Sequence, residues 1–388
     1  MQNLVDKVVE VFNTQFGKEA LVVSAPGRIN IIGEHTDYNM GFVFPAAISE
    51  SIYFAMGPSN SLTECTCISI DENESFTFDL NDIEAIPSPT WKNYVLGVVA
   101  ELQNAGKTVQ GFNLAFSGNI PVGSGMSSSA ALECGLCFGL NELYNLGLSR
   151  KEVALISQAA EHNYAGVKCG IMDQFSSLMG KEDQAFILDC RNLELTYVRV
   201  NLQNYSLVLC NSNVSHSLVT SAYNERRQQC EEGVALVKTK YPNVQSLRDI
   251  NNMDMLNEFE PVLNDTVYKR CKFIIEENQR VLDMGTAFEK NDLQTIGNLL
   301  NKAHYGLRYE FEITCEQTDF LADQFLDNKF TLGARQMGGG FGGCIIAVVE
   351  TEKLNDVIKE VSSAYAMKYK EATFLPIEIS NGCQLVNN

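Results

Sequence analysis

Arg28, Glu34, His35, Thr36, Asp37 and Tyr38 crowd into one short stretch, Gly27-Arg28-Ile29-Asn30-Ile31-Ile32-Gly33-Glu34-His35-Thr36-Asp37-Tyr38, beside an apolar run. Carboxylates and an imidazole so placed can accept from and donate to the hydroxyls of a neutral polyol. They give selectivity because a wrong ligand leaves buried polar groups unpaired. On residue types alone the stretch fits a solvated turn with a surface ion pair equally well. A second stretch, Pro121-Val122-Gly123-Ser124-Gly125-Met126-Ser127-Ser128-Ser129-Ala130-Ala131, runs into an apolar segment that favours helix. Glycines let backbone amides approach a ligand, and a helix N-terminus adds free N–H groups and partial positive charge. Together they make a phosphate cradle. The hydroxyls of Ser127, Ser128 and Ser129 add donors and an oxygen suited to Mg²⁺. The loop lacks the Gly-Lys-Ser/Thr ending of one common nucleotide motif. Ser128 stands where the dinucleotide motif needs its third glycine.

Two further features are ambiguous by themselves. Asp173 sits between apolar neighbours in Ile171-Met172-Asp173-Gln174-Phe175. Burial there raises a carboxyl pKa and a nearby arginine lowers it. Held ionised, Asp173 would be a fit acceptor for a hydroxyl proton; it would serve equally as the cap of a helix over 174–179. Gly338–Gly343 holds five glycines in six residues before an apolar run. It reads as a tight turn, a backbone wall against a phosphate, or a closure of the site.

These residues must be held by ordered elements, and the chain is long enough to supply them. It has 388 residues, a net charge of −19, 45% hydrophobic and 20% charged residues. That is an ordinary globular composition with room for two domains. The negative charge argues against nucleic acid and anionic membranes as partners. No secretory signal and no run of 18 apolar residues is visible, so a cytoplasmic protein is expected. The twelve cysteines then read as reduced, mostly buried thiols, and Cys134-x-x-Cys137 lacks the partners of a zinc site.

Periodicity predicts a helix over 1–18 and strands over 21–32, broken at Ala25-Pro26-Gly27, and over 42–52. A hairpin follows over 62–80, then a helix over 91–103 and a strand over 112–116. The serine loop leads into a helix to Tyr144. Ser149 and Glu152 form a capping box for the next helix, with Gly166 as its stop. Strands over 185–188 and 205–210 precede helices over 217–239, 269–290 and 293–327. A strand over 344–349, a helix over 352–369 and a strand near 373–380 close the chain. The pattern changes near residue 200, which divides the chain into 1–200 and 201–388.

The first stretch, the serine loop and Met337-Gly338-Gly339-Gly340-Phe341-Gly342-Gly343 together resemble the three motifs of the galactokinases, within the superfamily that holds homoserine, mevalonate and phosphomevalonate kinases. The likeness also covers Trp91-Lys92-Asn93-Tyr94, Glu161-His162-Asn163-Tyr164-Ala165-Gly166, Tyr223-Asn224-Glu225-Arg226-Arg227 and Glu277-Asn278-Gln279-Arg280. The resemblance implies an α+β fold of two domains with the active site in the cleft between them. It implies transfer of the γ-phosphate of MgATP to the C1 hydroxyl of galactose, the first step of galactose use. Arg28, Glu34, His35, Thr36, Asp37, Asp173 and Tyr223 would bind the sugar. Trp91 and Asn93 would lie near the adenine, and Gly123, Ser124, Gly125, Met126, Ser127, Ser128 and Ser129 would hold the phosphates. Ser129 and Glu161 would ligate Mg²⁺, Asp173 would be the base and Arg28 would stabilise the transferred phosphoryl group. The sequence departs from the family at Ala303, Gly306 and Met126. The alternatives are a kinase for N-acetylgalactosamine or a related sugar, and a non-catalytic galactose sensor. A monomer is the working expectation, although no residue pattern sets the oligomeric state.

Overall fold

The computed structural model describes residues 2–121, 125–214, 219–250 and 252–386. Apolar residues at helical spacing put Val5, Val8 and Phe12 on the buried face of α1 (Gln2–Phe16). Strand β1 (Leu21–Asn30) runs through Ala25-Pro26-Gly27 instead of breaking there. The prolyl nitrogen has no hydrogen to give a ladder, and the register slips between Pro26 and Arg28. The expected strand over 42–52 is two strands, β2 (Phe42–Val43) and β3 (Pro45–Pro58), which run in different sheets.

The expected hairpin forms as β4 (Glu64–Ser69) and β5 (Glu74–Asp79). Helix α2 (Trp91–Asn104) and strand β6 (Phe112–Gly118) follow. Helix α3 (Ser128–Tyr144) leaves the serine loop. Helix α4 (Arg150–Ala160) opens on the Ser149/Glu152 box and continues as a wider turn, Glu161–Ala165, before Gly166. Then come α5 (Met172–Met179), β7 (Gln184–Asp189), β8 (Glu194–Arg199) and β9 (Tyr205–Asn211).

The second half holds α6 (Val219–Lys238), α7 (Met253–Asn257) and α8 (Asp265–Glu289). The long helix expected over 293–327 is two, α9 (Leu293–Tyr309) and α10 (Glu316–Leu326). Between them Phe311 and Ile313 turn into the core, Glu312 takes a φ of 53°, and Thr318 Oγ1 accepts the Cys315 N–H at 3.0 Å. Strand β10 (Thr331–Met337), β11 (Cys344–Glu350), α11 (Leu354–Lys368), β12 (Thr373–Pro376) and β13 (Gln384–Leu385) complete the chain.

The first sheet orders its strands β13-β1-β3-β6-β4-β5, and all neighbours are antiparallel except β4 and β6. The second runs β10-β11-β9-β12 and the third β2-β7-β8. Helix α1 covers one face of the first sheet against Val22, Tyr53 and Ala115, and α3 lies against the other. Segregated helices on mainly antiparallel sheets make this an α+β fold. Helices α10 and α11 pack on the second sheet, whereas α6 and α8 form a separate helical core with Phe311 and Ile313. The largest core reaches from Val23 to Val348. None of the twelve cysteines, all of them among the described residues, forms a disulfide. No helix among the described residues is long and apolar enough to cross a membrane.

Candidate active site

The slip in β1 frees the Arg28 N–H from the ladder, and it donates to the Met126 carbonyl at 3.1 Å. The Arg28 side chain, 5% exposed, points into a cavity of 190 Å³. Its Nε donates to Asp173 Oδ1 at 2.7 Å and its Nη2 to Oδ2 at 2.9 Å. This is a forked contact between one guanidinium and one carboxylate. The remaining Nη1 donates to the Gly125 carbonyl. Burial lowers the Arg28 pKa, but the charge and hydrogen bonds of Asp173, with Glu34 and Asp37 behind them, leave it raised. Asp173 is therefore not a helix cap: α5 begins at Met172 and Asp173 lies within its first turn.

Glu34, His35, Asp37 and Tyr223 line the same cavity, together with Gly338 and Gly339. Glu34 is held by Arg335 Nη2 at 3.0 Å and by the Gly338 N–H at 2.9 Å. His35 takes a φ of 62° and its Nδ1 lies 2.8 Å from Tyr38 Oη. Its ring is boxed by Tyr223 and Phe311 at 5.1 and 4.9 Å. Burial pushes the imidazole down to about 3, the Gly339 backbone counters this in part, and Arg226 adds to it. His35 is neutral at working pH, and Nε2 makes no hydrogen bond of ordinary geometry. Burial pushes Asp37 up to about 7; the Tyr38 N–H lowers it, Asp173 and Glu34 raise it, and Arg28 lowers it. A side chain at position 170 would overlap the Asp37 carboxylate, so Gly170 is the residue that admits it.

A second cavity of 540 Å³ is lined by Trp91, Thr90, Phe116, Ser128 and Ser129. Trp91 Nε1 donates to Glu74 at 2.7 Å, and Phe116 meets its ring edge-on. Ser127 takes a φ of 58° ahead of α3, and its hydroxyl donates to Asp173 Oδ2 at 2.5 Å. Ser129 lines this cavity and Glu161 lines the other. The Ser129 hydroxyl donates to Glu161 Oε1 at 3.0 Å, so the pair stands at the boundary. Burial raises the Glu161 pKa, Asp173 raises it further, and Cys169, Ser129 and Gln174 lower it. Among the described residues no set of three or more His, Cys, Asp or Glu is grouped to hold a metal alone. Mg²⁺ commonly takes one or two protein oxygens and completes its shell with phosphates and water. A hydroxyl beside a carboxylate suits that mode.

Five of the named residues, Thr36, Asn93, Gly125, Met126 and Ser127, line neither cavity. Thr36 turns inward, with Oγ1 2.9 Å from the Gly33 carbonyl and 2.5 Å from that of Phe42. Asn93 is buried and clasps Ile86 through both backbone groups, so it shapes the 86–90 wall from behind. Met126 is buried packing. Gly123 and Ser124 lie outside the described residues. The sequence reading missed Arg335, whose fully buried guanidinium donates to Glu34 and to the Ile31 and Asn30 carbonyls. Nothing in its local pattern marks it. It also missed what Glu277 and Asn278 do: Glu277 accepts the Gly33 N–H and Asn278 the Phe42 N–H, both at 2.9 Å.

Three family profiles match the chain: "GHMP kinases N terminal domain" over residues 93–181, "GHMP kinases C terminal" over 285–366 and "Galactokinase galactose-binding signature" over 10–58. The fold is that of a GHMP kinase. A galactokinase of Thermotoga neapolitana is 38% identical over 365 residues, covering 94% of this chain and 99% of that protein. The crystal structure of Lactococcus lactis galactokinase complexed with galactose aligns with a TM-score of 0.93 and 34% identity, over 97% of this chain and 98% of that one. A mevalonate kinase, 19% identical with a TM-score of 0.65, shares the fold over 95% of the chain. The chain belongs to the galactokinase family, a family of ATP-dependent sugar kinases.

Proposed function

We propose that this protein transfers the γ-phosphate of MgATP to the C1 hydroxyl of α-D-galactose. The observation that carries the proposal is the Arg28–Asp173 fork in the floor of a polyol-sized cavity, walled by Glu34, His35 and Asp37. In this reading the sugar fills the smaller cavity and its hydroxyls meet Asp37, His35 and Glu34, with Tyr223 closing one side. The nucleotide lies in the larger cavity against Trp91, with its phosphates over Gly125 and Ser127–Ser129. Asp173 takes the C1 proton, and Arg28 keeps that carboxylate oriented and faces the charge that builds on the phosphoryl group. Phosphoryl transfer leaves little else for a protein to do than position and neutralise. Ser129 and Glu161 would hold Mg²⁺, which when bound offsets charge on the phosphate oxygens.

Thr36 and Asn93 then act through the loops that they hold, and residues 1–200 and 201–388 supply the two walls of the cleft. We infer a monomer in the cytosol. Galactose in the Lactococcus lactis complex supports the sugar assignment. The test is an ADP-release assay across galactose, N-acetylgalactosamine, arabinose and glucose. Galactose should give the highest kcat/KM; a higher value for N-acetylgalactosamine overturns the substrate assignment. In the same assay Asp173→Asn should lose about 10²–10⁴ in kcat with galactose still bound.

A further inference from the structure

Behind the Ser129–Glu161 pair lies a buried polar group that the mechanism above does not use. Gln174 follows Asp173 on α5 and is fully buried. Its Nε2 donates to Glu161 Oε2 at 2.7 Å and lies 3.4 Å from Glu133 Oε2. An amide nitrogen carries two hydrogens, so one nitrogen can serve both carboxyls. The Cys169 thiol lies 3.2 Å from the same Glu161 oxygen. Glu161 is thus divided: Oε2 is tied inward to Gln174 and Cys169, and Oε1 is left on the Ser129 side. The wide turn Glu161–Ala165 that closes α4 carries this carboxylate, and such turns recur at functional sites.

Glu133 lies on α3 one turn beyond Ser129, wholly buried. Its Oε1 has no hydrogen-bond partner, and it joins no ion pair among the described residues. A carboxyl so placed costs stability, and a single long hydrogen bond from Gln174 offsets that cost only in part. Burial, with Glu161 and Asp173 nearby, pushes it well above the ordinary carboxylate range. Among the described residues its one hydrogen-bond partner is the Gln174 amide.

We propose that Gln174 is a positioning residue that fixes Glu161 with Oε1 toward the metal and nucleotide, and that Glu133 anchors the Gln174 amide. The inference rests on the reading of Glu161 as a Mg²⁺ ligand. An outer partner of a metal ligand is commonly worth 10–100-fold in metal affinity.

The experiment titrates Mn²⁺ into the full-length protein with ADP and follows free Mn²⁺ by electron paramagnetic resonance, beside the Mg²⁺ dependence of turnover. Gln174→Met keeps the length and removes the donor. It should weaken Mn²⁺ binding by about tenfold or more, raise the Mg²⁺ needed for half-maximal rate, and leave galactose binding without nucleotide unchanged. Glu133→Met should act in the same direction, whereas Glu133→Gln, which keeps an acceptor oxygen, should stay within about twofold of wild type. A purely structural role would lower the unfolding temperature without moving metal affinity. If Glu161→Ala weakens Mn²⁺ binding and folded Gln174→Met does not, the inference is wrong and the metal reading stands. If Glu161→Ala itself changes nothing, both fall. Should Gln174→Met not fold, equal metal affinity in Glu133→Met and Glu133→Gln overturns the inference.

Discussion

Asp37 owes its place to Gly170, and its environment gives it a measurable signature. Burial pushes it up to about 7, helped by Asp173 and Glu34 and opposed by the Tyr38 N–H and Arg28. In the proposed function a sugar hydroxyl donates to the ionised carboxylate, so binding favours the charged form. Galactose affinity should therefore rise as pH climbs through about 7 and level off above it. Below that point it should fall by up to about tenfold per unit. Calorimetric titration from acid to mildly alkaline buffer checks this, and Asp37→Asn should flatten the profile. A flat wild-type profile contradicts the assignment. His35 does not contribute, because its depressed pKa keeps it neutral throughout. At this scale the motif likeness picked out Glu34, His35, Asp37 and Asp173, which the fold brings to one cavity, whereas residue type alone fitted a solvated turn or a helix cap as well. It was silent on direction: Thr36 and Asn93 stand in the same motifs but spend their polar atoms on backbone. Which way a side chain points depends on packing from elsewhere in the chain.

Helix α3 carries the serine loop and is buried on nearly every side, from Ala130 to Asn141. Its contact with the first sheet is close because a Cβ at Gly135 would overlap the Phe54 ring. Gly135→Ala should thus cost about 1–3 kcal/mol by overpacking, read as a lower denaturation midpoint. A neutral or stabilising result would mean that the helix can withdraw from the sheet. The elements themselves were mostly legible. Caps and periodicity gave α1, the Ser149 box and the β4–β5 hairpin. The misses have physical causes. Gly333 and Arg335 disguise β10, because the pattern looks too polar for a strand whose arginine is in fact buried on a carboxylate. The break between α9 and α10 is made by core contacts of Phe311 and Ile313, not by a helix-breaking residue.

At the scale of the molecule, the stretch from Gly27 to Tyr38 is pinned from the distant half of the chain. Arg335 reaches it from β10, and Glu277 and Asn278 reach it from α8. The C-terminal strand returns to pair with β1, and the Cys383 N–H donates to the Ser177 carbonyl at 2.7 Å. Arg335→Met would leave Glu34 buried without its cation and take the guanidinium donors from three carbonyls, those of Asn30, Ile31 and Gln336. Loss of one partner from a buried pair costs about 3–5 kcal/mol, so thermal unfolding should fall markedly and galactose binding should weaken. A variant of wild-type stability would show that this pin is dispensable. Such long-range pairs were not legible, because neither partner carries a local mark of the other. What the sequence could supply was the glycine-rich stretch at 338–343, whose Gly338 N–H proves to be the second donor on Glu34.

The most direct measurement is phosphorus NMR of the product formed from galactose and MgATP. The account predicts one sugar phosphate per ADP, with its phosphorus coupled to the anomeric proton and reducing power lost in step. Phosphate on the C6 hydroxyl, or ADP released with no sugar phosphate, would contradict it.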